Sequence, residues 1–170
     1  MAVLPILHHP DPRLRIRARP VTEFGDKLKS LVEDLFETMY DAPGVGLAAT
    51  QVGVDLRVAV IDCSREKEQP ERIVMVNPEI VGMDDEQEME EGCLSVPEVS
   101  DKVQRCNRVK LRAQDADGKA YELEATGLLA QAVQHEIDHL DGRLYIDYLS
   151  SLKRERITKK LSKQARRNAA

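Results

Sequence analysis

The sequence predicts an α+β domain: antiparallel sheets packed around a central helix, with one further helix near each end. Three observations carry that prediction. Apolar residues recur at helical spacing in two long stretches, over 24–40 and 127–140. Between them, segments alternate apolar and polar residues at the period of a strand. Turn residues separate these segments, and no repeat or linker divides the chain.

The first twenty residues hold Pro5, Pro10, Pro12 and Pro20 among arginines, so they are read as extended or turning. Thr22 is placed to cap the first helix, over 24–40, where Leu28, Leu31, Val32, Leu35, Phe36 and Met39 form a core-facing stripe. The helix stops in DAPGVGLAATQVG, which holds Pro43, Gly44, Gly46 and Gly53. DLRVAVIDC reads as a strand, SREKEQPER as a solvated loop, and RIVMVNPEIV as a second strand ended by Asn77-Pro78. The acidic run DDEQEMEE, 84–91, is read as a solvated strand or loop edge. Val109, Leu111 and Ala113 alternate with polar residues, as do Tyr121, Leu123 and Ala125, and AQDADGKA between them supplies the turn of a β-hairpin. Thr126 can then cap a helix over 127–140. Leu129, Val133, Ile137 and Leu140 form one apolar stripe on it, with Leu128, Ala132, His135 and His139 beside them. A helix buried on two stripes is central. Gly142 ends it, and a last helix begins near Ser150. The strands are expected to be short.

Composition bounds the rest. At 170 residues, 42% apolar and 32% charged, the chain suits one globular domain spanning 1–170 with a basic helix or tail from about 150. No stretch approaches the length of a membrane span, and MAVLPILHHP lacks the apolar core of a signal peptide; a cytoplasmic protein without a membrane partner is expected. Cys63, Cys93 and Cys106 are too few and too odd in number for a disulfide framework, which leaves at least one thiol for chemistry or metal. Residues 150–170 carry eight positive side chains against Glu155 alone, a net +7, so −12 falls on the rest of a chain of net charge −5.

Chemistry concentrates in QHEIDHLDG, residues 134–142. His135 and His139 stand four apart, which on a helix stacks both imidazoles on one face within reach of one ion. Glu136 lies about 100° around the helix, close enough to touch a water held by that ion. Alone, the motif also suits a charged, solvated turn. Two imidazoles need a third protein ligand, either a carboxylate downstream or a cysteine. Cys93, in the polar setting EEGCLSVPE, is favoured over Cys63 and Cys106, each of which suits an inert thiol. Thiolate plus two imidazoles suits Zn²⁺ or Fe²⁺, and an ion so held lowers the pKa of a bound water toward neutrality. Glu136 is the candidate general base, and Gln51, in a glycine-rich loop, a candidate oxyanion donor.

GVGLAATQVG (44–53), EGCLS (91–95) and QHEIDHLDG (134–142) resemble, in order and spacing, the three signature motifs of the bacterial peptide deformylases. HHPDPRLR near the start and IDYLSSLKRERI near the end extend the resemblance over nearly the whole chain. It implies a hydrolase that removes the formyl group from the N-terminal formylmethionine of newly made proteins and releases formate. Cys93, His135 and His139 would hold the metal; Glu136 would be the acid and base; Gln51 and the backbone N–H of Leu94 would hold the oxyanion. The implied ion is Fe²⁺, one per chain, with Zn²⁺, Ni²⁺ or Co²⁺ able to substitute. The methionine pocket would be built around Val45, Met89, Glu91, Leu128 and Gln131 or Ala132, with Gly44, Gly46 and Gly92 beside the peptide backbone. The chain departs from the family pattern at Glu98-Val99-Ser100-Asp101 and at Gln131, a polar residue on the expected pocket wall. Partners so implied are nascent formyl-methionyl polypeptides and, through the basic tail, the ribosome near its exit tunnel. Leu149, Leu152, Ile157 and Leu161 would dock the tail's first turns.

Two other classes are weighed against this one. A zinc-dependent endopeptidase shares HExxH but draws its third ligand from downstream, where this chain offers only Glu155 in a cationic segment. A nucleic-acid-binding module would use the basic tail, but the −12 body opposes a broad phosphate-binding face, and no DNA partner is expected.

Overall fold

The computed structural model describes residues 2–64, 66 and 68–169. Helix α1 spans Asp26–Asp41, followed by strands β1 (Gly46–Ala48), β2 (Val58–Ile61), β3 (Ile73–Cys93), β4 (Val96–Gln114) and β5 (Ala120–Thr126), then helices α2 (Gly127–Leu140) and α3 (Ser151–Ala169). The strands form one antiparallel sheet in the order β1-β2-β3-β4-β5. This is the α+β architecture expected.

Around β2 both faces of the sheet are covered. Val58 and Val60 point to the side of α1, where they meet Leu28, Val32, Leu35, Phe36 and Met39. Ala59 and Ile61 point the other way, into a core shared with Ala130, Ala132, Val133 and Leu140 of α2. A strand buried on both sides reads as a continuous apolar run, which is why VAVI lacks alternation. A third cluster joins Val96 and Val103 of β4 to Leu144, Tyr145 and Ile146, and to Ile157 and Leu161 of α3.

Several local expectations are corrected. Thr22 does not cap α1: the helix begins after Gly25 with no side-chain cap. Residue 21 is instead clamped to Asn77, whose Oδ1 accepts from Val21 N–H at 2.8 Å and whose Nδ2 donates to Val21 C=O at 3.0 Å, and Thr22 faces solvent. That clamp also explains why Asn77-Pro78 does not end the strand. Asn77 takes a left-handed φ of 50°, which Asn tolerates, and β3 continues through a register shift between Val76 and Glu79. The acidic run therefore lies within a 21-residue strand, exposed from Asp84 to Glu88 and buried at Glu91, and the strands β3 and β4 are long rather than short. In α3, Ile157 and Leu161 dock as expected but Leu152 stays 56% exposed, because it lies on the opposite side of the helix from that pair.

Candidate metal centre

Two elements bring the site together. Helix α2 starts at Thr126, which makes no side-chain cap bond; Gly127 N–H donates to Asn107 Oδ1 at 3.2 Å. Its far end is closed by Gly142, at a φ of 79°, where Gly142 N–H reaches His139 C=O at 3.0 Å and Arg143 N–H reaches Asp138 C=O at 2.8 Å. A Cβ on Gly142 would stand 2.6 Å from Arg15 O, so only glycine fits. Arg57 donates to Leu140 C=O at 3.0 Å and to Asp141 at 3.0 Å, placing a cation at the negative end of the helix. Gln134, buried, exchanges two hydrogen bonds with the backbone of Cys106, 2.9 and 2.8 Å, and so fixes α2 against β4. The second element is the β3–β4 hairpin. Cys93 is the last residue of β3, paired with Val96 across a two-residue turn of Leu94 and Ser95.

On this frame His135 Nε2 lies 3.1 Å from His139 Nε2, and Cys93 Sγ lies 3.2 Å from His139 Nε2. The three donor atoms all fall within 4.8 Å of one another. Cys63 and Cys106 stay outside the cluster and pack against the α2 core. Burial, then the charge of Asp62, pushes the Cys63 thiol up to about 11, and burial raises the Cys106 thiol too.

The donor set fits a soft or borderline divalent ion. Glu91 Oε2 sits 2.7 Å from His135 Nδ1, so the ring proton lies on Nδ1 and the Nε2 lone pair faces the cluster. Glu91 is buried and held by Arg105, with Nε 2.9 Å and Nη2 2.6 Å from its two oxygens. Burial alone would raise the Glu91 carboxyl, but bonds from Arg105 and His135 override it and hold it down to about 2. Arg105 also donates to Asp138 at 2.8 Å, which accepts from Tyr148 OH at 2.8 Å. On the sulfur side, Ser95 N–H stands 3.4 Å and Gln51 Nε2 3.7 Å from Cys93 Sγ, donors that suit a thiolate.

Glu136 is 3% exposed, and its Oε1 has no hydrogen-bond partner among the described residues. Burial, with the neighbouring Glu91 charge, pushes its carboxyl up to about 7. A Cβ on Gly46 would come 2.5 Å from Glu136 Oε2, so the glycine makes room for this carboxylate. Gln51 is oriented by Ala48 N–H, 2.9 Å from its Oε1, which turns Nε2 toward Ser95 Oγ at 3.0 Å.

A cavity of about 360 Å³ opens beside these groups. Gly44, Val45, Gly46, Glu91, Gly92, Leu94, Leu128, Gln131 and Ala132 line it, together with Gln51, Cys93, His135 and Glu136. Met89 lies two residues before Glu91 on the same face of β3, opposite Val103, and Glu90 also lines the wall. Gln131 turns to that wall, donating to Glu90 C=O at 2.8 Å and Glu91 Oε1 at 3.2 Å. Glu91 itself engages its oxygens with Arg105, His135 and Gln131. Arg105, Asp138 and Ser95 were not legible as site residues. Arg105 did leave a signal, an arginine in the same strand phase as the buried Val103, which calls for a buried acid.

Comparison with known proteins decides the family. The profile of the polypeptide deformylases matches residues 3–155. The chain belongs to the polypeptide deformylase family. It is 56% identical over 170 residues to a peptide deformylase of Hahella chejuensis, covering 99% of this chain and 100% of the relative. Among solved structures it resembles a peptide deformylase from Legionella pneumophila, with a TM-score of 0.92 and 52% identity over 99% of this chain and 98% of the other. It also resembles one from Ehrlichia chaffeensis in complex with actinonin, with a TM-score of 0.92 and 38% identity, covering 96% and 98%. The deformylase removes the N-formyl group from nascent peptides, and the family implies a catalytic metal. No helix among the described residues is long and apolar enough to cross a membrane.

Proposed function

We propose that Cys93, His135 and His139 hold the catalytic ion of this deformylase and that Glu136 moves the protons. The observation that supports it most is the convergence of the three donor atoms within 4.8 Å beside a buried carboxylate with a free oxygen. When bound, the ion supplies Lewis acidity that brings a water toward ionisation at neutral pH. Glu136, pushed up to about 7, takes a proton from the attacking water and hands it to the amide nitrogen. The formyl C–N bond breaks, water's oxygen stays on the formyl carbon, and formate and a free amino terminus result.

Gln51 Nε2 faces Ser95 Oγ at 3.0 Å and, more distantly, Cys93 Sγ at 3.7 Å; turning that second hydrogen from the sulfur to the substrate, with the Leu94 N–H beside it, would stabilise the negative oxygen that develops on the formyl carbon. β1 is an edge strand of the sheet, and Gly44 and Gly46 let a peptide pair with it closely. Val45 and Leu128, both apolar and exposed at 43% and 52%, flank the cavity together with Ala132 and receive the methionine side chain.

We further propose Fe²⁺ as the ion, with Zn²⁺, Ni²⁺ or Co²⁺ able to replace it, a choice the thiolate donor supports. The chain acts as one cytoplasmic catalytic domain on formyl-methionyl chains, and its basic helix α3 meets ribosomal RNA near the exit tunnel. The test is hydrolysis of a formyl-Met peptide against an internally acetylated peptide, with metal content measured on protein purified without oxygen. Release of formate from the first alone, with about one iron per chain, is expected. Cleavage of the acetylated peptide's internal bonds would instead mean an endopeptidase.

A further inference from the structure

The register of the β3–β4 hairpin breaks next to the site. Gly92 pairs with Ser100 and Cys93 with Val96, so Pro97, Glu98 and Val99 have no partner on β3. Glu98 takes a left-handed φ of 63°, as a bulge of this kind requires. The direction in which the hairpin tip carries Cys93 is therefore not set by the ladder alone. It depends on what holds the bulge.

Tyr145 holds it. Its hydroxyl donates to Val99 C=O at 3.1 Å, and its side chain is 1% exposed in the cluster that joins Val96, Val103, Ile157 and Leu161. Cys93 and Val99 pack against the same cluster. The Tyr145 ring also stacks on His135, with centroids 6.4 Å apart and planes inclined by 29°. A Cβ on Gly92 would lie 3.5 Å from Val99 O, so the carbonyl is seated directly beside the residue before Cys93. One side chain thus touches a ligand-bearing ring and the bulge that aims the other ligand.

We propose that Tyr145 is a positioning residue that fixes the Cys93 thiolate relative to His135, its ring backing the imidazole and its hydroxyl anchoring the bulge. Removing the hydroxyl leaves the half-buried Val99 carbonyl without this partner, and the tip relaxes to recover a hydrogen bond. The displacement is felt at Cys93, one residue from the break, before it is felt in the fold.

The proposal rests on Cys93 and His135 being ligands, and the experiment separates the two. The apoprotein of the full chain is titrated with Co²⁺, and the thiolate-to-cobalt charge-transfer band is read in the near ultraviolet for the parent, Cys93→Ala, Tyr145→Phe and Ile157→Ala. Loss of the band in Cys93→Ala establishes the ligand; its retention overturns the ligand assignment itself. Tyr145→Phe is expected to keep its far-ultraviolet dichroism, to shift or weaken the band, and to bind Co²⁺ about tenfold more weakly, on the scale of supporting contacts around metal ligands. Its kcat should fall while KM stays within about twofold. Ile157→Ala, which loosens the same cluster but leaves the Tyr145 hydroxyl and ring in place, should lower Tm and leave the band in place. A Tyr145→Phe band and Co²⁺ affinity equal to the parent's, or an equal band shift in Ile157→Ala, would overturn the proposal.

Discussion

The Glu91 carboxylate stands 2.7 Å from His135 Nδ1, on the side of the ring opposite the nitrogen that faces Cys93 and His139. It fixes the tautomer and makes the imidazole a better donor. Glu91→Gln is therefore expected to weaken metal binding by about 10–100-fold, measured by competition with a chelator. Unchanged affinity would mean that packing alone orients His135.

Gly46 leaves space for the Glu136 carboxylate, since a Cβ there would approach Oε2 to 2.5 Å. Gly46→Ala should displace that carboxylate by a fraction of an ångström to an ångström and lower kcat/KM by about 100-fold, with metal content unchanged. Steady-state kinetics and metal analysis of the same preparation check this together. Full activity would show that the carboxylate has room to move.

Cys63 has its thiol pushed up to about 11, because burial and the charge of Asp62 both disfavour the thiolate. Only the thiolate is alkylated, so labelling of Cys63 should be slow at pH 7 and accelerate about tenfold per pH unit up to about pH 10. Mass spectrometry of the Cys63 peptide after timed iodoacetamide treatment gives the rates. A plateau below pH 9 would contradict the shift.

Helix α3 buries Ile157 and Leu161 but leaves its lysines and arginines outward. Removing residues 162–170 should weaken co-sedimentation with ribosomes at low salt and leave hydrolysis of a free formyl-Met peptide unchanged. Phosphate contacts fade steeply with ionic strength, so the parent's association should fade as salt is raised. Equal sedimentation of both proteins would reduce the tail to a solubilising face.

The parts legible in the sequence were those set by short-range spacing. Helix α2 came out over 127–140 because its period lies within the helix and its Gly142 stop lies two residues past the end, and HEIDH came with it. Cys93 stood out by its polar neighbours. The 21-residue reach of β3 was hidden because Asn77-Pro78 reads as a stop unless Val21 is known to clamp it. The partnership of Glu91 with Arg105 was hidden for a related reason: it spans 14 residues and depends on the register of a hairpin, which no local pattern encodes.

Glu136 contributes no donor to the cluster of Cys93, His135 and His139, so proton transfer and metal binding are separable in one substitution. The most direct measurement is metal content and kcat/KM of Glu136→Gln, determined on one anaerobic preparation beside the parent. The expected result is about one ion per chain in both, with hydrolysis of the formyl-Met peptide lower by several orders of magnitude in the variant. Near-parental turnover with the ion in place would mean that another group moves the proton, and loss of the ion would mean that Glu136 belongs to the metal site.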